Sequence, residues 1–178
     1  MQMIRGDVIY VTAGSSGSAV HTIGEIYGGG TVFYVYDNGQ HGLIAAPADQ
    51  STSMRWDNGT SRFTGSTGDG LFAGAMNTTM IVATQIGDPL AGDFAAKVCA
   101  DYSVTTGGVT YGDWYLPSKY ELNLLYLSVS AVSGIAQAYY WCSSEVSAQT
   151  GNVFGFDNLI WSVANKSDTY HVRAVRAF

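Results

Sequence analysis

Charge is scarce in this chain. Only 12% of its 178 residues are charged, the eight Lys and Arg are scattered, and the net charge is −6, so nothing in the sequence forms an electrostatic footprint for nucleic acid. Two cysteines, Cys99 and Cys142, are too few for a disulfide framework, and both are expected to be free thiols acting as small apolar fillers. No apolar run approaches the about 18 residues of a membrane-crossing helix. The opening MQMIRGDVIYV has neither the long apolar stretch nor the small-residue cleavage site of a secretory signal. His21, His41 and His171 stand far apart without HxH or HxxxH spacing, and Asp57-Asn58, Asp69 and Asp157-Asn158 lack the alternation of a calcium loop. No metal or cofactor is therefore expected. Gly28 to Gly30 is followed by strand residues rather than a helix, which makes it a turn and not a phosphate loop.

What the chain does have is apolar mass, at 47% hydrophobic residues, with 22 glycines that punctuate it into short segments. That balance implies one folded domain, of the α+β class, with mostly antiparallel short strands and a few helices. Asp7 to Val11 reads as a strand and GSSGS after it as a flexible turn. The runs around Asp37-Asn38-Gly39 predict a β-hairpin, because Asn-Gly supplies the positive φ angles of a tight turn. Residues 49 to 75 read as a long surface excursion pinned by Trp56, Phe63 and Phe72. Asn77 and Asp93 are expected to cap two short helices, and Ser118 with Glu121 forms a capping box that starts a third. Strands are expected at Tyr139 to Trp141, Val153 to Phe156 and Tyr170 to Val175, with Val172 and Val175 buried and Arg173 and Arg176 as structural anchors.

The tail from Trp141 to Phe178 divides into a frame and a filling. The frame is Trp141, Ser143, Ser144, Glu145, Phe156, Lys166 and the terminal TYxVRAVRAF, whose open position, His171, belongs to the filling. The filling mixes large apolar groups with Gly, Asn, Asp and Ser and follows neither a strand nor a helix period for long, which argues for surface loops. An ordinary loop-rich terminus would give the same mixture. Rigid rings beside small polar groups are also the chemistry of a recognition surface.

The segments YGGGTVFYVYDNGQHGLIAAPADQS, AAKVCADY, YGDWYLPSKYELNLLY, YYWCSSE and YHVRAVRAF resemble the bacterial family typified by the C-terminal domain of the Legionella collagen-like adhesin. The resemblance spans residues 23 to 178 and leaves 1 to 22 as a separate amino-terminal segment. It implies a C-type-lectin-like fold related to the formylglycine-generating-enzyme fold: a small antiparallel sheet, two to three helices and long loops. A kept frame with a changed filling also looks like the variable proteins of diversity-generating retroelements, in which adenine-directed mutagenesis rewrites chosen codons near the gene's end. Neutral drift in a loop is the competing explanation.

The function so implied is non-enzymatic ligand recognition, with residues 141 to 178 as the variable region. The contact residues expected are Cys142, Val146, Gln149, Thr150, Asn152, Phe154, Asp157, Leu159, Ile160, Trp161, Val163, Ser167, Asp168 and His171, with Phe154 and Trp161 as anchors. The partner would be a protein or glycan on another cell or virus surface, with no nucleic acid and no membrane insertion, and the location extracellular, on a cell surface or on a virion. A fixed carbohydrate-binding adhesin is the alternative, although the chain lacks an obvious basic patch for sulfated glycans. A third reading is an enzyme of the formylglycine-generating type, whose chemistry uses a cysteine pair.

Overall fold

The structure, a computed structural model, describes residues 19–88 and 92–178; the strand and turn expected at residues 7 to 18 lie outside them. The described residues form an α+β structure with two main sheets, a separate two-stranded hairpin and three α-helices. The first sheet contains β1 (Ile26–Tyr27), β2 (Gly30–Tyr36), β3 (His41–Ala45) and β11 (Val175–Ala177), in that order. The second is built from β4 (Ser51–Arg55), β7 (Tyr139–Glu145), β8 (Thr150–Gly155), β9 (Ile160–Asn165) and β10 (Thr169–Val172), ordered β4-β10-β7-β8-β9. All pairings are antiparallel except β10 with β7. The remaining elements are α1 (Ala73–Gln85), α2 (Ala95–Ala100), the hairpin β5 (Val104–Thr106) and β6 (Val109–Tyr111), and α3 (Lys119–Leu127). No described helix is long and apolar enough to cross a membrane.

The hairpin predicted at Asp37-Asn38-Gly39 forms, and all three residues take positive φ angles (49°, 53° and 83°), a conformation open to Asn, Asp and Gly at low cost. The capping box at α3 also forms: Ser118 Oγ accepts from the Glu121 amide at 3.2 Å and the Ser118 amide donates to Glu121 Oε2 at 2.8 Å. Glu121 does a second job. Its carboxylate also accepts from the Phe72 amide (2.8 Å), the Gly74 amide (3.2 Å) and the Tyr115 hydroxyl (3.0 Å), so one side chain satisfies the open N–H groups of two helices. Burial nevertheless pushes the Glu121 carboxyl above the usual carboxylate range, against these donors.

That borrowed cap explains a correction. Helix α1 starts at Ala73, four residues ahead of the Asn77 cap expected from sequence, because its cap comes from Glu121, 47 to 49 residues away. Asn77 sits inside the helix, bonding Gly68 in both directions (3.1 and 2.7 Å) and Ser143 (3.2 Å). Asp93 does not cap α2 either; it binds Lys97 at 3.0 Å, one turn on. The excursion over residues 49 to 75 contains a strand, β4, and only Trp56 of its three aromatics is buried, while Phe63 lies exposed.

The apolar residues form two clusters. Consecutive residues such as Val32 and Phe33, Ile44 and Leu43, Trp141 and Tyr140, and Val153 and Phe154 fall in different clusters. Neighbouring strand residues point to opposite faces, so these strands are covered on both sides. The tail then joins the sheets: β10 ends at Val172, Arg173 and Ala174 turn the chain, and β11 adds to β3. Val172 and Val175 are fully buried, as expected.

The start of α1 supplies a test in which propensity and packing disagree. Alanine normally favours a helix over glycine by about 1 kcal/mol. A Cβ on Gly74, however, would lie 2.7 Å from the Ser118 amide nitrogen and 2.8 Å from the Leu116 carbonyl oxygen. Gly74→Ala should therefore destabilise the protein by about 1–3 kcal/mol in urea unfolding; a neutral or stabilising result would show that α1 and α3 are not held together through Glu121.

Candidate recognition surface

The tail is organised around one buried ion pair. Glu145 ends β7 and Lys166 follows β9, and both side chains are removed from water. The Glu145 carboxylate accepts from the Thr64 amide (3.0 Å) and the Gly65 amide (2.9 Å) as well as from the Lys166 ammonium. That ammonium donates to the Arg62 carbonyl at 2.9 Å and lies 4.2 Å from the centroid of the Trp56 ring. Burial pulls the Lys166 pKa below the ordinary lysine value, with Glu145 opposing it. The backbone reinforces the joint: Trp56 N donates to Lys166 O (3.0 Å), Lys166 N to Gln149 O (2.8 Å), and Trp56 Nε1 to Cys142 O (2.9 Å).

Two arginines anchor the far end of the tail, as their spacing led us to expect. Arg173 donates to Asp49 (2.6 Å), to Ala46 O (2.7 Å) and to Gly134 O. Arg176 grips Asp113 with two nitrogens at 2.7 and 3.0 Å and stacks 4.6 Å over the Tyr111 ring. Trp141, Ser143, Ser144, Phe156 and these arginines are all buried, so most of the frame read from the sequence lies inside, while Thr169 is exposed and Tyr170, Ala177 and Phe178 are half-buried.

Much of the filling lies outside, on a strand hairpin and in the turns that flank it. Residues 150–155 and 160–165 are the antiparallel hairpin β8–β9, paired from Thr150↔Asn165 to Gly155↔Ile160. Strand β9 is the outer edge of its sheet, and Ile160 (55%), Val163 (54%) and the neighbouring Leu159 (54%) stand well exposed. Asp157 shares the turn with Leu159 and is also exposed. At the other end of the hairpin, exposed Val146 and Gln149 lie in the β7–β8 turn beside exposed Ser167 and half-buried Asp168. The structure thus brings nine of the expected contact residues onto one hairpin and its flanking turns: Val146, Gln149, Thr150, Asp157, Leu159, Ile160, Val163, Ser167 and Asp168.

Five others need correction or qualification. Cys142 is fully buried in the second core cluster, and burial pushes its thiol up to about 12, so it meets no ligand and carries no thiolate at neutral pH. Phe154, expected as an anchor, is 2% exposed, packed against Tyr126 (5.1 Å between ring centroids) and Phe156 (5.2 Å). Both are buried because β7 and β8 are covered on two faces. His171 lies on β10, on the opposite side of β7 and β8 from β9, with its Nδ1 2.8 Å from Asp49. Asn152 is half-buried and donates to Ser144 O at 2.9 Å. Trp161 is half-buried: it leans on Phe154 at 4.9 Å, and the Lys119 ammonium sits 5.1 Å from its ring centroid.

Residues not marked by the sequence complete the surface. Lys119 reaches it only because the capping box aims the first turn of α3 at β9. Asn158 shapes the β8–β9 turn, accepting from the Ile160 amide at 3.2 Å and donating to the Tyr139 hydroxyl at 2.6 Å. Its Asp-Asn neighbourhood is the available signal, since that pair is turn chemistry before it is metal chemistry. Leu159 takes φ 62°, a left-handed conformation that Gly or Asn adopts readily and a leucine does not. An exposed leucine at that φ serves neither burial nor backbone geometry.

Three measurements follow from this arrangement. Lys166→Met should cost roughly 3–5 kcal/mol, because it strands the Glu145 charge in the interior, whereas Ile160→Ser and Val163→Ser should each stay within about 0.5 kcal/mol in the same unfolding assay. Leu159→Asn should raise stability by up to about 1 kcal/mol by relieving the backbone; a loss would mean that the leucine packs usefully. Both thiols, pushed up by burial, should resist alkylation at pH 8 in the native protein and react once it is unfolded; rapid native labelling of Cys142 would show that the core beneath β8 opens. No known protein-family model matches the chain, and no curated protein matches it.

Proposed function

We propose that this protein is a non-enzymatic ligand-binding module that displays a sequence-diversified surface on a C-type-lectin-like scaffold, at an extracellular, cell or virion surface. Its ligand is a protein or glycan carried by another cell or virus. The observation that carries this reading is the partition of the tail. Trp141, Glu145, Phe156, Lys166 and Arg173 are buried, with Glu145 and Lys166 paired and Arg173 held by Asp49, while Val146, Gln149, Leu159, Ile160 and Val163 between them point to water.

Such a division lets side chains on β9 and its turns change without touching the core, which is what a diversified binder requires. Leu159 adds support, since an exposed leucine held at positive φ lowers stability in exchange for an apolar projection. Both cysteines are buried in different core clusters, which weighs against the cysteine-pair chemistry of a formylglycine-generating-type enzyme.

The test is to sequence many independent copies of the 3′ end of this gene from its source population. Substitutions are expected to concentrate at the codons for the exposed residues between 146 and 168, opposite adenines of a nearby template copy, leaving Trp141, Glu145, Phe156, Lys166 and Arg173 unchanged. An invariant tail, or changes spread evenly over buried and exposed positions, would overturn the proposal.

A further inference from the structure

Resting on the recognition reading above, we infer that the open edge of β9 takes its ligand by strand addition, so that the partner is an extended segment of polypeptide rather than a sugar. The β8–β9 register and one backbone bond determine which way β9 faces. Lys166 N donates to Gln149 O one step beyond the Thr150↔Asn165 pair, which sets the parity of the ladder, and in an antiparallel pair of strands every second residue faces its partner in the same way. By that parity Ser162 and Ala164 aim their N–H and C=O groups at β8, whereas Trp161, Val163 and Asn165 aim theirs outward. The Asn165 amide confirms this parity, because it turns away from β8 to donate to Asp168 Oδ2 at 3.2 Å. Among the described residues no strand pairs with β9 on that outer side, so by this parity the Trp161 and Val163 amides and carbonyls face away from the sheet. They present two donor and acceptor sets about 7 Å apart, the repeat of an incoming strand.

The other edges of the two main sheets are defended. Strand β1 is two residues long, and β11 is covered by Tyr115, which exchanges bonds of 2.8 and 2.9 Å with Val175. Strand β4 ends at Arg55, held by Asp57, and meets a register shift in β10. Strand β9 runs six residues with no charge, proline or bulge, and carries Ile160 and Val163 exposed. Natural sheets normally blunt such an edge; an undefended one is a template for another strand. The arrangement also suits diversification. Backbone groups supply binding that does not depend on which non-proline side chain is present, while side chains alternating across the two faces of β9 select the partner's sequence.

The experiment uses a phage-displayed library of random linear dodecapeptides selected on the whole protein. Enriched peptides are resynthesised with a single N-methyl group walked along the backbone and measured by calorimetry. Strand addition predicts an alternating pattern, with methylation weakening binding more than tenfold at every second residue and little between, and it leaves the protein untouched. Val163→Pro should weaken all selected peptides by a similar factor whatever their sequence, since the amide it removes is not used by β8. An absence of enriched linear peptides would overturn the inference, as would a dimer of the free protein that Val163→Pro dissociates, because the edge would then belong to a second copy. Binding that responds to Ile160→Ser and Val163→Ser but shows no alternation would overturn strand addition while leaving the recognition surface in place.

Discussion

The buried pair of Glu145 and Lys166 is the constraint on which the tail depends. Neither charge is stable in the interior alone, so each must be met by the other, by the Thr64 and Gly65 amides, by the Arg62 carbonyl and by the Trp56 ring. Meeting those demands fixes the loop over residues 56–66 against the end of β7 and fixes the start of the β9–β10 turn against both. The β8–β9 hairpin lies between these two points. Its ends are held by electrostatics inside the protein, so its outer side chains carry no structural duty.

A second device of the same kind organises the helices. The Glu121 carboxylate closes the amino-terminal turns of α1 and α3 together and takes a bond from Tyr115, the residue that covers β11. The capping box that aims α3 therefore also sets where Lys119 approaches Trp161. The β8–β9 hairpin and the helix layer thus share a reference point.

Much of this was legible in the sequence where the information is local. The Asp37-Asn38-Gly39 turn, the Ser118 capping box, the burial of Val172 and Val175 and the anchoring by Arg173 and Arg176 rest on residues whose own chemistry leaves few alternatives. The start of α1 was not legible, because its cap comes from Glu121, far along the chain. Nor was β9. The strand expected at Val153 to Phe156 overlaps β8, but β9 lies exposed at an edge with no period of two, so its residues read as a loop.

The sequence by itself determined the class of the fold, the frame of the tail and the kinds of side chain set between its fixed points. Those properties follow from composition, turn chemistry and the intolerance of buried charge for a missing counter-charge. Only the tertiary structure decided which of those side chains reach solvent. It withdrew Cys142 and Phe154 into the core, set His171 across the sheet, and left Leu159, Ile160 and Val163 in water. The physical reason is the position of β9 as the last strand of its sheet: burial there is a property of the neighbours a strand has, and those are set by pairings that its own residues do not encode.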